Sequence, residues 1–343
     1  MTDLVVSVLI DTHNHEKYIE QAMVSAVEQD FPASDCEIVV VDDGSTDRTP
    51  DIVRKFAPRV RLLRKKNGGQ ASAFNAAVPE LRGELVAFLD GDDWWAREKL
   101  AAVAAAFAEH PEAAAVGHGY YEVQEDAGAA KLHALERSES SDLSNCEAAL
   151  GALRAWDFLR TSAFTARKTV LETILPVPEA LVFCADAFIA PACMVTGVHV
   201  IQQPLLYYRV HGENLCTFEG AANEARLPRR CEMHELLFEL LEPMLIKMGV
   251  RRNVAWRLLY PYFTDLMRFK LKTFGGSRLN AFRTEMRAFA AEHASPSRRY
   301  RLFKHTAVGA ATLLLPPRAF YRAKDWYASK NLGRLRERLA KSA

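Results

Sequence analysis

Asp90-Gly91-Asp92-Asp93 places three carboxylates in four positions, immediately after the apolar run Leu85–Leu89. Carboxylates packed this closely repel one another unless a cation neutralises them. Hard divalent ions such as Mg2+ or Mn2+ prefer oxygen ligands and keep positions open for phosphate. Taken alone, the same residues also suit an acidic turn that opens a helix after Trp94-Trp95. A second acidic turn, Asp42-Asp43-Gly44-Ser45-Thr46-Asp47, follows Glu37–Val41. A carboxylate there can accept hydrogen bonds from the imide edge of a pyrimidine or from a ribose hydroxyl, and Asp43 is the candidate. Asp47 suits an Asx-turn that caps a helix from Thr49.

Both turns need strands to hold them. Leu4–Ile10 (LVVSVLI), Glu37–Val41 (EIVVV) and Leu85–Leu89 (LVAFL) read as buried strands, with a shorter one over Val60–Leu63. Between them, the spacing of apolar residues predicts helices over Tyr18–Glu28, Thr49–Phe56, Gln70–Val78 and Lys99–Glu109. Strands apolar on both faces and separated by helices imply an α/β fold with a mostly parallel central sheet flanked by helices. In such sheets ligands collect at the carboxyl ends of the strands, where all three main strands here end in carboxylate-bearing loops. Further on, Gln124–Asn145 is polar and reads as an exposed excursion, and helices are expected over Glu232–Met248, Val254–Phe274 and Leu279–His293. The expected division is an α/β domain over residues 1–225 and a helical C-terminal module over 226–343.

The 343 residues are 49% hydrophobic and 25% charged, ordinary globular values that exclude a disordered or collagen-like chain. The net charge of +1 gives no reason to expect nucleic acid as a partner. That charge is unevenly spread: of 44 Lys and Arg and 43 Asp and Glu, residues 298–343 hold 12 and 2. Six cysteines (Cys36, Cys146, Cys184, Cys193, Cys216, Cys231) lack CxxC spacing, which argues against a zinc knuckle or a disulfide framework and suits a reducing compartment. Met1-Thr2-Asp3 has no basic stretch ahead of its apolar run, and no uninterrupted apolar stretch of about 18 residues occurs, so the expected location is cytoplasmic.

In order along the chain, VSVLIDTHN, EIVVVDDGSTD, NGGQASAFNAA, ELVAFLDGDDWW and PLLYYRVHGEN resemble the motifs of the family 2 inverting glycosyltransferases, over residues 4–215. The resemblance implies the GT-A, Rossmann-like fold of nucleotide-diphospho-sugar transferases. It also implies a metal-dependent, hexosyltransferase-type activity that moves a sugar from a UDP-, GDP- or dTDP-linked donor to a hydroxyl of a glycan or lipid-linked acceptor in surface polysaccharide synthesis. By that resemblance Thr12, His13 and Asn14 line the nucleoside pocket, with Asp11 where the family often has Pro and His13 where it often has Tyr. Asp43 then binds the base, and Asn67, Gly69 and Asn75 lie beneath the nucleotide, with Phe74 replacing a frequent Arg whose role falls to Lys65 or Lys66. Asp90, Gly91 and Asp92 match the D-x-D motif, Asp92 as the direct ligand of Mn2+ or Mg2+ and Asp90 on the ribose or a metal-bound water. Trp94 and Trp95 pack the loop.

Inverting transfer needs a base that removes the acceptor's hydroxyl proton. In the family this is the Asp of an x-E-D motif ahead of the strand leading to Y-R-V-H. Cys184-Ala185-Asp186 stands at that place, so the resemblance implies Asp186 as the base, with Ala185 in place of the usual Glu. Read by itself, Asp186 suits the cap of a helix over Ala187–Val195. The resemblance also assigns His211 to the metal site or the diphosphate, imidazole being more acceptable to Mn2+ than to Mg2+. Arg209 is assigned to neutralising phosphate or bracing the site.

The tail carries TAVGAATLLLP, then Arg318, Phe320, Tyr321, Arg322, Lys324, Trp326 and Tyr327. Too short to span a bilayer, this basic and aromatic segment suits an interface. Residues 298–343 are therefore expected either to lie on the inner face of a cell membrane or to pack on the protein with a solvated basic face. Two rival activities differ in sequence. A sugar-nucleotide nucleotidyltransferase would carry a Gly-rich, Arg-bearing phosphate loop after the first strand, unlike Asp11-Thr12-His13-Asn14. A nucleotide-binding scaffold without turnover is the alternative left by the altered surroundings of Asp186.

Overall fold

The β-branched runs of the N-terminal region form β1 (Val6–Thr12), β2 (Cys36–Asp42), β3 (Val60–Arg64) and β4 (Leu85–Asp90), parallel and in the order β3-β2-β1-β4. The computed structural model describes residues 6–125, 130–133, 140–141, 160–183, 185–214, 227–291 and 298–329. One face of the sheet (Val8, Ile10, Ile38, Val40, Ala87, Leu89) packs with α1 (Ile19–Val27) and α4 (Lys99–Glu109) through Ile19, Met23, Leu100, Val103 and Phe107. The other face carries Phe88, whose ring lies 5.0 Å from Phe74 of α3 (Gln70–Ala77) and 4.9 Å from Phe164. Cover on both faces is why these strands are apolar at successive positions instead of alternating. The short α2 (Thr49–Arg54) links β2 to β3.

β1 and β4 run beyond the apolar stretches that announce them. Asp11 stays in the ladder opposite Asp90, and Thr12 opposite Asp42, because backbone pairing continues after side-chain hydropathy stops. Three aspartates from three adjacent strands therefore stand at one edge of the sheet.

The sheet continues from β4 through β9 (Phe164–Arg167), β6 (Ala115–Gln124), β10 (Val198–Val210) and β5 (Trp94–Trp95), with β9 and β5 antiparallel to their neighbours. Two short strands, β7 (Ala130–His133) and β8 (Ser140–Ser141), pair with β6 and β10; the rest of the Gln124–Asn145 excursion lies almost wholly outside the described residues. The β6–β10 register shifts on either side of Pro204, a residue that cannot donate to the ladder. Beyond it, Leu206 pairs with Trp95 and Tyr207 with Trp94, so Trp94-Trp95 is a short strand ahead of the α4 helix. This pairing joins the Tyr-Tyr-Arg-Val-His segment directly to the Asp90 turn.

The remaining helices are α5 (Lys168–Ile174), α6 (Ala185–Thr196), α7 (Leu227–Lys247), α8 (Arg252–Thr273), α9 (Arg278–Ala291), α10 (Arg298–Leu314) and α11 (Pro317–Ser329). The chain divides into two compact units, Met1–Val254 and Ala255–Ala343, with α7 in the first. The second has its own small core of Leu271, Ala281, Phe320 and Tyr321. Among the described residues, no helix is long and apolar enough to cross a membrane.

Candidate active site

Glycine is required at the centre of the Asp90 turn. Gly91 donates its N–H to the Asp11 carbonyl at 2.9 Å, and a Cβ there would lie 2.6 Å from Thr12 Oγ1 and 2.8 Å from His15 Nδ1. Asp93 is buried and engaged in the frame: Oδ1 accepts the Arg209 backbone N–H at 2.9 Å and Oδ2 accepts the Ser162 hydroxyl at 2.7 Å. Ser162 Oγ in turn accepts the Asp90 N–H at 2.9 Å, which ties both ends of the turn to one hydroxyl. Asp90 and Asp92 are the carboxylates of the turn left available for a ligand.

His211 meets Asp92 from β10. Its Nδ1 accepts the Glu213 N–H at 3.2 Å, so the proton of a neutral ring sits on Nε2, which donates to Asp92 Oδ2 at 3.0 Å. His15 Nε2 lies 3.9 Å from the same oxygen. Arg209 braces this arrangement: Nε donates to the Asp92 carbonyl at 2.8 Å and Nη2 to Gln21 Oε1 at 2.6 Å, with the guanidinium over the rings of Tyr18 and Trp94. Trp94 stacks on Tyr207, and the buried Trp95 donates Nε1–H to the Ser162 carbonyl at 2.8 Å. Both tryptophans thus pack the loop.

Asp186 lies in the first turn of α6, where Oδ1 accepts the Ala187 N–H at 2.7 Å and Oδ2 the Thr161 N–H at 3.3 Å. The start of α6 and the acidic turn share one hydrogen-bond partner. Gln70 connects the two. Its amide nitrogen donates to Asp90 Oδ1 and to Thr161 Oγ1, each at 3.3 Å, and its amide oxygen accepts the Ala185 N–H at 3.1 Å. Nothing in the sequence singles Gln70 out, because an uncharged residue opening a helix carries no local signal of chemistry.

The loops after β1 and β2 are clasped together. Asn14, at a left-handed φ of 56°, donates its N–H to Ser45 Oγ at 2.9 Å and accepts the Thr46 N–H at 2.8 Å. His13 beside it is exposed, whereas Thr12 is buried next to His15. Asp43 takes Lys65 Nζ at 2.6 Å and the Gly68 N–H at 3.0 Å on Oδ1, and the Gly69 N–H at 2.7 Å on Oδ2. Lys65 is therefore bound to Asp43 and not held out over the site. Asn67 lies exposed, its backbone N 2.7 Å from where a Gly44 Cβ would stand. Gly69 has a φ of 83°, and a Cβ there would meet the Val182 carbonyl at 2.4 Å. The Asn75 side chain exchanges two hydrogen bonds with the Val177 backbone, at 2.8 and 2.7 Å, and so anchors that segment.

Charge is unbalanced at this edge. Asp11 is pushed up to about 7, chiefly by burial and then by the charges of Asp92 and Asp186, against the lowering effect of a hydrogen bond with Asp90. Burial also holds Asp90 and Asp93 well above the ordinary carboxylate range, helped by Asp11 at the first and Asp92 at the second. Asp92 goes the other way: burial raises it, but the His211 hydrogen bond and the charges of His15 and His211 outweigh that and hold it low. Oxygens of Asp90, Asp92 and Asp93 lie within 4.8 Å of one another, and Asp11 Oδ1 is buried with no hydrogen-bond partner among the described residues. Excess carboxylate, hard oxygen donors and an orphaned oxygen together fit a divalent cation.

The model of glycosyl transferase family 2 matches residues 7–160, and an uncharacterized glycosyltransferase of Nostoc sp. is 30% identical over 264 residues, 74% of this chain and 81% of that protein. The chain belongs to glycosyl transferase family 2. This family 2 enzyme is also 42% identical over 108 residues to the poly(ribitol-phosphate) beta-N-acetylglucosaminyltransferase TarS of Staphylococcus aureus, spanning 30% of this chain but 19% of TarS. Its fold is the GT-A fold of TarS residues 1–349, with a TM-score of 0.63 over 90% of each chain at 19% identity. The mannosyltransferase PcManGT of Pyrobaculum calidifontis, solved with GDP-Man and Mn2+, matches at a TM-score of 0.50 and 20% identity over 95% of this chain and 88% of that one.

Proposed function

We propose that this glycosyltransferase is metal-dependent and inverting, and moves a sugar from a nucleotide-diphosphate donor to a hydroxyl of a glycan or lipid-linked acceptor. The observation that carries the reading is the meeting of Asp90, Asp92 and His211 at the carboxyl edge of the sheet, with Gln70 bridging Asp90 to the start of the Asp186 helix. TarS solved with UDP-GlcNAc and with UDP, and PcManGT with GDP-Man and Mn2+, support a nucleotide-sugar donor. The chondroitin and hyaluronan synthases of Pasteurella multocida, each 41% identical over 92 residues, support a glycan acceptor in surface polysaccharide synthesis.

In this reading Asp92 and Asp90, with His211 beside them at Asp92 Oδ2, would hold Mn2+ or Mg2+. The bound cation supplies charge neutralisation for the departing diphosphate. Thr12, Gly91 and the clasped His13–Asn14 loop form the nucleoside side, with Asp43 toward the base and Asn67, Gly69 and Asn75 shaping the segment beneath it. Arg209 keeps the turn rigid through the Asp92 carbonyl and Gln21, so its role is positioning. Asp186, pinned by the Ala187 and Thr161 N–H groups, takes the acceptor's hydroxyl proton as that oxygen attacks the anomeric carbon on the face opposite the diphosphate. Residues 1–225 are read as the catalytic part and 226–343 as a helical module, with residues 298–343 on the inner face of a cell membrane.

A thermal-shift screen of UDP-, GDP- and dTDP-sugars with and without Mn2+ identifies the donor, since a ligand bound to the native state alone raises the melting point. With that donor, Asp186→Asn is expected to lower transfer by about 10²–10⁴-fold while the donor-induced shift persists. Equal release of nucleoside diphosphate by the wild type and the variant removes Asp186 as the base.

A further inference from the structure

The second unit, Ala255–Ala343, collects exposed apolar surface at one end. Phe274, Leu279, Leu313, Leu314 and Leu315 are all exposed, Leu314 at 73%. They come from two separate places in the chain: Phe274 from the α8–α9 connection with Leu279 from the first turn of α9, and the leucines from the end of α10 and its Pro316-Pro317 exit. Two contacts bring these places together. Arg278 Nη1 donates to the Leu313 carbonyl at 3.4 Å, and a Cβ on Gly275 would lie 3.4 Å from Arg318 Nε. A Cβ on Gly309 would meet Phe282 at 3.1 Å, consistent with α9 and α10 packing as an antiparallel pair whose open end carries the apolar residues.

The charge around this end has one sign. Arg278, Arg318 and Arg322 are exposed, and neither residues 266–284 nor residues 298–324 contain an aspartate or glutamate. Leucines projecting from helix ends and ringed by guanidinium groups match an anionic lipid surface, where apolar side chains enter the acyl boundary and arginines meet phosphates. A protein groove would instead need acidic residues to complement the rim.

We propose that this end of the second unit is a membrane-contacting tip, with Phe274, Leu279 and Leu313–Leu315 seated in an anionic bilayer and Arg278, Arg318 and Arg322 on its headgroups. This rests on the reading of residues 298–343 as a membrane-attaching segment. It names the lipid chemistry and adds contact residues that precede that segment.

The test is co-sedimentation of the full chain with phosphatidylcholine vesicles, with and without phosphatidylglycerol, at low and high salt. The wild type is expected to bind the anionic vesicles and to be released by salt. The double variant Leu313→Ser/Leu314→Ser and the single Phe274→Ser should each weaken binding about tenfold or more, and Arg278→Ala/Arg318→Ala should flatten the salt dependence. All of these should keep the wild-type melting point and the donor-induced shift. No recovery of the wild type with anionic vesicles overturns both the tip and the tail reading. Wild-type binding that the leucine variants leave unchanged overturns the tip alone. Self-association on a sizing column that the leucine variants abolish, without vesicle binding, makes the occupant a second copy and overturns the lipid assignment.

Discussion

Asp90 and Glu285 are both carboxylates withdrawn from solvent, the first half-buried at the carboxyl edge of the sheet and the second buried among the C-terminal helices. Glu285 accepts Arg268 through Nε and Nη2, each at 2.9 Å, and Lys324 Nζ at 2.8 Å. Burial raises it, but these cations outweigh burial and hold it below the ordinary range. Asp90 has Asp11, Asp92 and Asp93 for company, and the Arg209 guanidinium at the same turn is bound to the Asp92 carbonyl and to Gln21. Burial and its acidic neighbours therefore push in the same direction. An enclosed acid matched by cations from its own chain is architecture. One left in excess asks for a cation from outside.

The contrast can be broken most sharply at Asp90. Asp90→Asn is expected to reduce transfer about 10²–10³-fold, yet to leave the melting point in chelator unchanged or higher, because it removes surplus negative charge. A clear loss of stability in chelator would show that Asp90 is structural after all. At Glu285 the expectation reverses: Glu285→Ala should destabilise the protein by about 3 kcal/mol, read by denaturant melts, with the Mn2+-induced shift intact. The third test uses pH. Asp11 lies at about 7 in the fold against an ordinary 3.8, so between those values the native state holds a proton that the unfolded chain has released. In chelator, stability should therefore fall as pH rises through that window, by at most about 1.4 kcal/mol per pH unit for each such group. Asp11→Asn should flatten the slope, and Glu285→Gln should leave it unchanged at the neutral end of the window, where Glu285 is ionised in both states. A slope unaffected by Asp11→Asn would place the titration elsewhere.

Much of the fold is written in local pattern. Lys99–Glu109 is helical over the predicted residues, and the main strands begin and end within two residues of their apolar runs. The acidic turns are equally plain, since carboxylates that end buried strands are visible by eye. The frame around them is not. Hydropathy stops β1 at Ile10, and only the pairing with β4 sets Asp11 opposite Asp90. Trp94-Trp95 becomes a strand because β10 passes beside it after the shift at Pro204. Ser162, which lies in no motif, locks Asp90 to Asp93 from 72 and 69 residues away.

From the amino-acid order alone follow an α/β sheet buried on both faces and a row of aspartates at its carboxyl edge, because apolar runs and the acids that end them are properties of neighbouring residues. Which of those acids would stand without a counter-charge was decided only by tertiary structure. Compensation depends on what α3, the turn before β9 and the end of β10 bring alongside: Ser162 and the Arg209 N–H to Asp93, His211 to Asp92, and to Asp90 the neutral amide of Gln70.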